Sequence, residues 1–403
     1  MDPHKRFCHN RSCWAYARAG EGHIVIHSQK EQRYRCKRCG QTFSATKGTA
    51  LYRAHKPHEL IATVVTLLAY GCPPQAIVAA FSVDERTVSR WQRESGRQCQ
   101  RIHEHIVQAG GVLLAHVQAD ELRIRIIGGV VWLASAISVS SRLWLGGVVR
   151  IQRDRCLIRT LLEGVRCCGT FQSLLLCTDG LSSYPKQALK VLREPLRTGK
   201  VGRPRLLLPE GLMIAQAVKR YARRRVKEVL RRVVVGAEEA VQARLESTQG
   251  SLTAVINTAY IERLQATFRS RLSALVRRTR TAARQKATLE AGMWLVGTVY
   301  NFCRAHRSLR LAGDSTAGER RWIERTPAEA AELTDHCWSV YELLSFAIPR
   351  LRSSDAGDDP DGWWRLLMQL DYAPRLNGVL PRYVLRSAYT GENVRGHHHL
   401  PIV

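Results

Sequence analysis

Four cysteines near the N-terminus set the tightest limit on what this chain folds into. Cys8 and Cys13 form one close pair and Cys36 and Cys39 another, joined by a spacer of hairpin length. Two such knuckles deliver four thiolates to a tetrahedral Zn²⁺, and the metal then stabilises a segment too small to own a core. Gly40 permits the tight turn after the second knuckle, and Phe43 is placed to cover the site. We expect a zinc ribbon over residues 1–52 with one structural zinc on Cys8, Cys13, Cys36 and Cys39, and His9 as the alternative to a thiol. The other cysteines, Cys167 and Cys168 among them, lack metal spacing and read as core residues.

From His58 the apolar pattern takes a helical period through Leu60, Ile61, Val64, Val65 and Leu68, ending at Gly71. Pro73 and Pro74 open a short helix to Phe81. Ser82, Val83 and Asp84 form a capped turn, and a third helix starts at Glu85. On it, Arg86, Thr87, Ser89, Arg90 and Arg93 face outward, and Val88 and Trp91 face in. This is the layout of a helix-turn-helix that lays its second helix in a DNA major groove, expected over residues 53–110. A plain three-helix packing module accounts for the same periodicity.

Charge decides which partners suit such a chain. Its 62 Lys+Arg against 34 Asp+Glu leave a net charge of +28, which self-repels in isolation and matches a polyanion such as nucleic acid. A hydrophobic fraction of 45% supplies a real core and excludes wholesale disorder. No membrane role is expected: the longest apolar stretch, Gly129 to Val149, is interrupted by Ser138, Ser140, Ser141 and Arg142. Scattered cysteines in a long chain fit a reducing cytoplasm.

His116 to Ile126 alternates as a strand, with Asp120 on the side of Leu122, Ile124 and Ile126 and with Glu121, Arg123 and Arg125 opposite. Gly129 to Ser138 and Arg142 to Val149 read as two more strands, and Asp154 to Val165 as a helix. Leu174 to Cys177 is a short buried strand ending at Asp179, the position where open α/β sheets place ligands. A later helix, capped by Asn257 and Thr258, carries Ile261, Leu264, Phe268, Leu272 and Leu275 inward. Glu262 shares another of its faces with Arg269 and, further on, Arg280. Three acids so placed suit two Mg²⁺ or Mn²⁺ ions for in-line phosphoryl transfer.

These stretches resemble bacterial insertion-sequence transposases of the DDE type. The resemblance is carried by Arg33 to Tyr52, Ala119 to Leu122, Thr178 to Tyr184, Asn257 to Arg280, Tyr300 to Leu309 and Arg325 to Ala331, spread over most of residues 1–345. It implies a multidomain α/β protein: the ribbon and helix-turn-helix, then an RNase H-like catalytic domain over 111–312, a helical extension over 313–352, and a linker and C-terminal segment over 353–403. It implies Asp120, Asp179 and Glu262 as the catalytic triad on two Mg²⁺ or Mn²⁺, with transposon-end and target DNA as substrates. It also implies strand cleavage and transfer with no covalent protein–DNA intermediate, a homodimer or larger assembly, and residence in the bacterial nucleoid. The chain departs from the family in two places. Asp179 and Glu262 are widely separated, so Leu192 to Thr253 reads as an insertion, and Gln265 stands where family members often have Asn.

Within the insertion, Lys219 to Arg232 is dense in basic residues, including Arg223, Arg224 and Arg225, and fits either a helix or a hairpin, the β-branched run Val233 to Val235 favouring the hairpin. It serves as a phosphate-tracking edge or as a solvated face. Gly202 to Arg205 reads as a linker or a minor-groove hook. Arg277 and Arg278 join Arg269 and Arg280 as candidate DNA contacts. His306 and Arg307 are expected to close a helix from near Ala287, where the resemblance puts them beside DNA. Thr326 to Glu329 is a capping box, Ser353 to Gly362 a linker, Trp363 and Trp364 open the last segment, and His397 to His399 is too short for a metal site. The alternative to a transposase is a transposase-derived, zinc-dependent DNA-binding regulator without catalysis. A third reading is an RNA-processing nuclease on the same core.

Overall fold

A computed structural model describes residues 1–170, 173–196, 205–223, 225–251, 253–272, 275, 285–313 and 322–348. Arg224, Arg277, Arg278, Arg280, residues 202–204, the 353–362 linker, Trp363, Trp364 and the terminal histidines lie outside them. The chain divides into two units, one of Met1–His55 with Ser345–Val403 and one of Lys56–Leu344.

The first unit is a small antiparallel sheet in the order β1 (Ile24–Ser28), β2 (Arg33–Cys36), β3 (Thr42–Ser44). Its core is thin: Ala15, Ile24, Tyr34 and Phe43 pack around Cys8 and Cys36. Tyr34 and Phe43 stack at 5.9 Å. Gly40, at φ +71, turns the chain so that its N–H donates to the Cys36 carbonyl at 2.9 Å. A β-carbon-bearing residue disfavours that conformation.

The second unit begins with α1 (His58–Ala69), α2 (Pro74–Phe81) and α3 (Glu85–Ile106). Ser82 is left-handed between the last two, and the Asp84 side chain caps α3 by accepting from Arg86 N. Val88 and Trp91 are buried, while Arg86, Arg90 and Arg93 are exposed and Thr87 and Ser89 half-buried. Beyond its first turns α3 continues as a core helix, with Cys99 and Ile102 fully buried.

After the two-residue strand β4 (Val112–Leu113) come β5 (His116–Ile126), β6 (Gly129–Ser138), β7 (Trp144–Arg150), α4 (Arg155–Cys168), β8 (Gly169–Thr170), β9 (Leu175–Thr178) and α5 (Ser183–Val191). A short hairpin follows, β10 (Glu194–Leu196) with β11 (Arg205–Leu207), then the long strands β12 (Met213–Ala222) and β13 (Arg225–Val235). The six-stranded sheet runs β13-β12-β9-β5-β6-β7. β5, β6 and β7 are antiparallel neighbours, β9 is parallel to β5, β12 parallel to β9, and β13 antiparallel to β12. This mixed sheet with helices on both faces is compatible with an RNase H-like core. The basic run folds as the β12–β13 hairpin.

Both faces are covered, and by different helices. On the side of Leu122 and Ile124 lie α6 (Glu238–Gln249), α7 (Ala259–Arg271) and α8 (Lys286–Phe302), with Ile261, Leu264, Phe268, Met293 and Val296 completing the core. Burying such side chains stabilises by roughly 1.5–3 kcal/mol each. On the other side pack α4 and α5, whose Tyr184 is fully buried. Gly96 of α3 lets α8 come close: a β-carbon there would lie 2.4 Å from the Ala291 carbonyl oxygen. The unit ends with the short pair β14 (Leu311–Ala312) and β15 (Trp322–Ile323), then α9 (Pro327–Ala330) and α10 (Val340–Ser345). The Thr326–Glu329 capping box forms, with both reciprocal bonds made.

Candidate metal centres and basic surfaces

Among the described residues two groups of metal-ligating side chains converge, one in each unit. In the first, a thiol from each of Cys8, Cys13, Cys36 and Cys39 lies within 4.8 Å of the others. The Sγ separations of 3.6 Å for Cys8–Cys39 and 3.9 Å for Cys13–Cys36 match the ~3.8 Å edge of a tetrahedron with ~2.3 Å Zn–S bonds. Burial raises Cys39, but the Gln41 N–H, Asn10, Cys8 and Cys13 more than offset it and bring the thiol down to about 7. His9 is not in the group; its ring packs against Phe7 at 4.6 Å and Phe43 at 4.8 Å.

The second group is Asp120, Glu121 and Asp179. Strand register creates it: Ala119 pairs with Thr178 across parallel β5 and β9, so the following residues, Asp120 and Asp179, emerge side by side. Burial, followed by the charges of Glu121 and Asp179, pushes the Asp120 carboxyl up to about 7. Above it stands Gln265 of α7, 3% exposed, whose side-chain amide favours the Asp120 anion by hydrogen bonding. Like-charged carboxylates crowded this closely, one of them largely buried, repel each other. A divalent cation relieves that repulsion, since hard oxygen donors with like charges need an opposite one. The Asp179 loop is fixed from behind by Gln216, whose Nε2 donates to the Asp179 carbonyl at 2.7 Å.

Glu262 does not join this group. It sits in the first turn of α7, where its carboxylate accepts from Lys219 of β12 and from the Thr258 hydroxyl at 2.7 Å. Burial pushes Glu262 up, but those two donors and the charges of Lys219 and Arg269 outweigh it and leave the group below its ordinary range. Glu262 and Gln265 lie on the same helix, so α7 overhangs Asp120 while Glu262 is held toward β12.

Glu121 is the residue that sequence reasoning missed. Alternation puts it opposite Asp120, as observed, but that face is covered by α5 and the side chain is only 1% exposed. Arg153, from the loop after β7, clasps it through Nε at 2.6 Å and through Nη2, and Tyr184 donates at 2.9 Å.

The expected DNA contacts separate into several surfaces. Arg86, Arg90 and Arg93 line the exposed side of α3, and Arg223 and Arg225 flank the β12–β13 turn, Arg223 being left-handed at φ 46. The helix before His306 ends at Phe302, not at Arg307. The backbone leaves the helix at Cys303, the His306 N–H bonds to the Arg325 carbonyl at 2.9 Å, and Arg307 opens a separate single turn. Burial, with the charges of Arg304, Arg142 and Arg271, holds His306 down to about 4.

No protein-family model matches the chain, and no curated protein does. Among solved structures it is similar to a piggyBac transposase synaptic complex with hairpin DNA, at 12% identity and a TM-score of 0.31, covering 83% of this chain and 75% of that one. A likeness at that level leaves the function to be read from the residues. Among the described residues no helix is long and apolar enough to cross a membrane.

Proposed function

We propose that the chain is a DNA transposase that cuts and rejoins strands with divalent cations at Asp120 and Asp179. The observation that carries this reading is the side-by-side emergence of those two carboxylates from parallel β5 and β9, close enough to share a cation. Asp120 and Asp179 would hold Mg²⁺ or Mn²⁺, and Glu262 would complete the set on release from Lys219. Such ions supply an activated water or 3′-hydroxyl and neutralise the leaving oxygen. The remaining work belongs to the chain. Gln216 fixes the Asp179 backbone, and α7 walls one side of the cleft. Arg269, Arg223, Arg225, His306 and Arg307 bind phosphates, with Arg224, Arg277, Arg278 and Arg280 as further contacts by sequence. The four cysteines hold one structural Zn²⁺, and the ribbon with α3 reads the terminal inverted repeats. Two DNA ends must be held together, so the working form is a dimer or larger.

One observation favours the second reading, a DNA-binding regulator without catalysis: the engagement of Glu262 by Lys219. The test is Mg²⁺- or Mn²⁺-dependent nicking of duplexes carrying whatever inverted repeats are found flanking the gene, in wild type and in Asp120→Ala, Asp179→Ala and Glu262→Ala. The transposase reading expects nicking by wild type and loss in every variant with DNA binding retained. Binding without nicking in wild type selects the regulator, and preferential cleavage of RNA or hybrid duplexes selects the nuclease. Nicking that survives in all three variants rejects the triad.

A further inference from the structure

Arg153 belongs to none of the motifs that point to the site, yet its guanidinium lies inside it. Three contacts hold it, and they are unequal. Nε and Nη2 both meet Glu121, whose side chain is 1% exposed, and the guanidinium lies 5.0 Å from the centre of the Trp132 ring. The third contact, Nη2 to Asp179 Oδ2, is 3.5 Å long and joins two groups that are each about one-third exposed, 35% and 36%. Breaking the first would strand a buried charge, which is costly. A long, solvated pair such as the third is worth little.

We propose that Arg153 is a positioning residue that tunes cation affinity: it competes with the divalent ion for Asp179, yields that carboxylate to it, and stays docked on Glu121 and Trp132. This rests on the reading that Asp120 and Asp179 hold that ion. The buried Glu121 thus acts as a tether that keeps Arg153 from settling on Asp179. Tyr184, donating to the other Glu121 oxygen, holds the tether in place. The two ends of one ion pair should then act in opposite directions, and loosening the tether without a change of charge, as in Tyr184→Phe, should act in the direction of Glu121→Gln.

The experiment is a Mn²⁺ titration of the zinc-loaded full chain, read by electron paramagnetic resonance, with circular dichroism on each variant. Arg153→Gln removes the competitor and should bind Mn²⁺ about fivefold tighter. Glu121→Gln frees Arg153 to move onto Asp179 and should bind about fivefold weaker. Arg153→Lys keeps the charge and should stay close to wild type. Tighter binding in Arg153→Gln with weaker binding in both Glu121→Gln and the charge-neutral Tyr184→Phe supports the inference; unchanged or weaker binding in Arg153→Gln, or wild-type binding in Tyr184→Phe, overturns it. If Arg153→Gln loses its fold, the other variants decide, and wild-type affinity in Glu121→Gln overturns it. A wild type that binds no Mn²⁺ removes the metal reading itself, a failure separate from this one.

Discussion

The cysteine cluster and the acidic cluster are both candidate metal centres, but they are assembled in opposite ways. The four thiols come from two knuckles within 32 residues of sequence, Cys8 to Cys39, and they sit in a unit with little core beyond themselves. The acids come from β5 and β9, are overhung by α7 and are clasped by the loop after β7, in a unit whose core is large without them. The ion is therefore expected to make the fold in the first region and to occupy a finished fold in the second. What a variant does to stability and what it does to metal binding should diverge between the two.

The largest expected effect is on the thiol side. Chelation, or Cys36→Ser, should unfold residues 1–55 and release about one zinc per chain, since structural zinc contributes about 10–16 kcal/mol to such segments. Amide hydrogen exchange read segment by segment would show protection lost there and kept in β5 and β9. Equal loss in both units would break the contrast. On the acid side, Asp179→Ala should leave the melting temperature nearly unchanged while reducing nicking on the order of 1,000-fold; a variant that unfolds would make the carboxylate structural.

That contrast also explains what was legible in the sequence. A knuckle pair is local, so spacing alone locates Cys8, Cys13, Cys36 and Cys39. Strand alternation is local too, so His116–Ile126 and the side on which Asp120 lies are readable. Burial of Glu121 is not, because alternation says which residues share a face but not that a helix from 60 residues later covers it. Arg153 lies in a loop with no pattern, and only the fold brings it to Asp179. Glu262 and Asp120 are both placed correctly on their own elements, but whether they meet depends on Lys219 across the sheet. The end of α8 at Phe302 escaped notice because the helical pattern runs on without a Gly or Pro stop.

Two smaller effects sharpen the comparison. Gly96→Val drives a side chain into the Ala291 backbone and should destabilise the second unit by about 1–3 kcal/mol. Urea unfolding should show a lower midpoint for that unit with the zinc content unchanged; a coincident loss of zinc would mean that the two regions fold as one. The acids should also show a pH dependence of their own. Asp120 holds its proton up to about 7, well above the ordinary carboxylate range. Its contribution to metal-free stability is thus present at low pH and lost as pH rises toward 7. Metal binding needs the anion, so Mn²⁺ affinity should climb about tenfold per unit of pH below that point and level off above it. Asp120→Asn should weaken Mn²⁺ binding and leave the residual affinity without the slope, and a slope that persists in that residual binding would assign it to another group.

The most direct test is a crystal of the full chain soaked in Mn²⁺ and measured at the manganese absorption edge. The account predicts an anomalous peak bonded to carboxylate oxygens of both Asp120 and Asp179, with Arg153 turned from Asp179 and still on Glu121. A peak bound elsewhere, or no peak between those two carboxylates at saturating Mn²⁺, would contradict it.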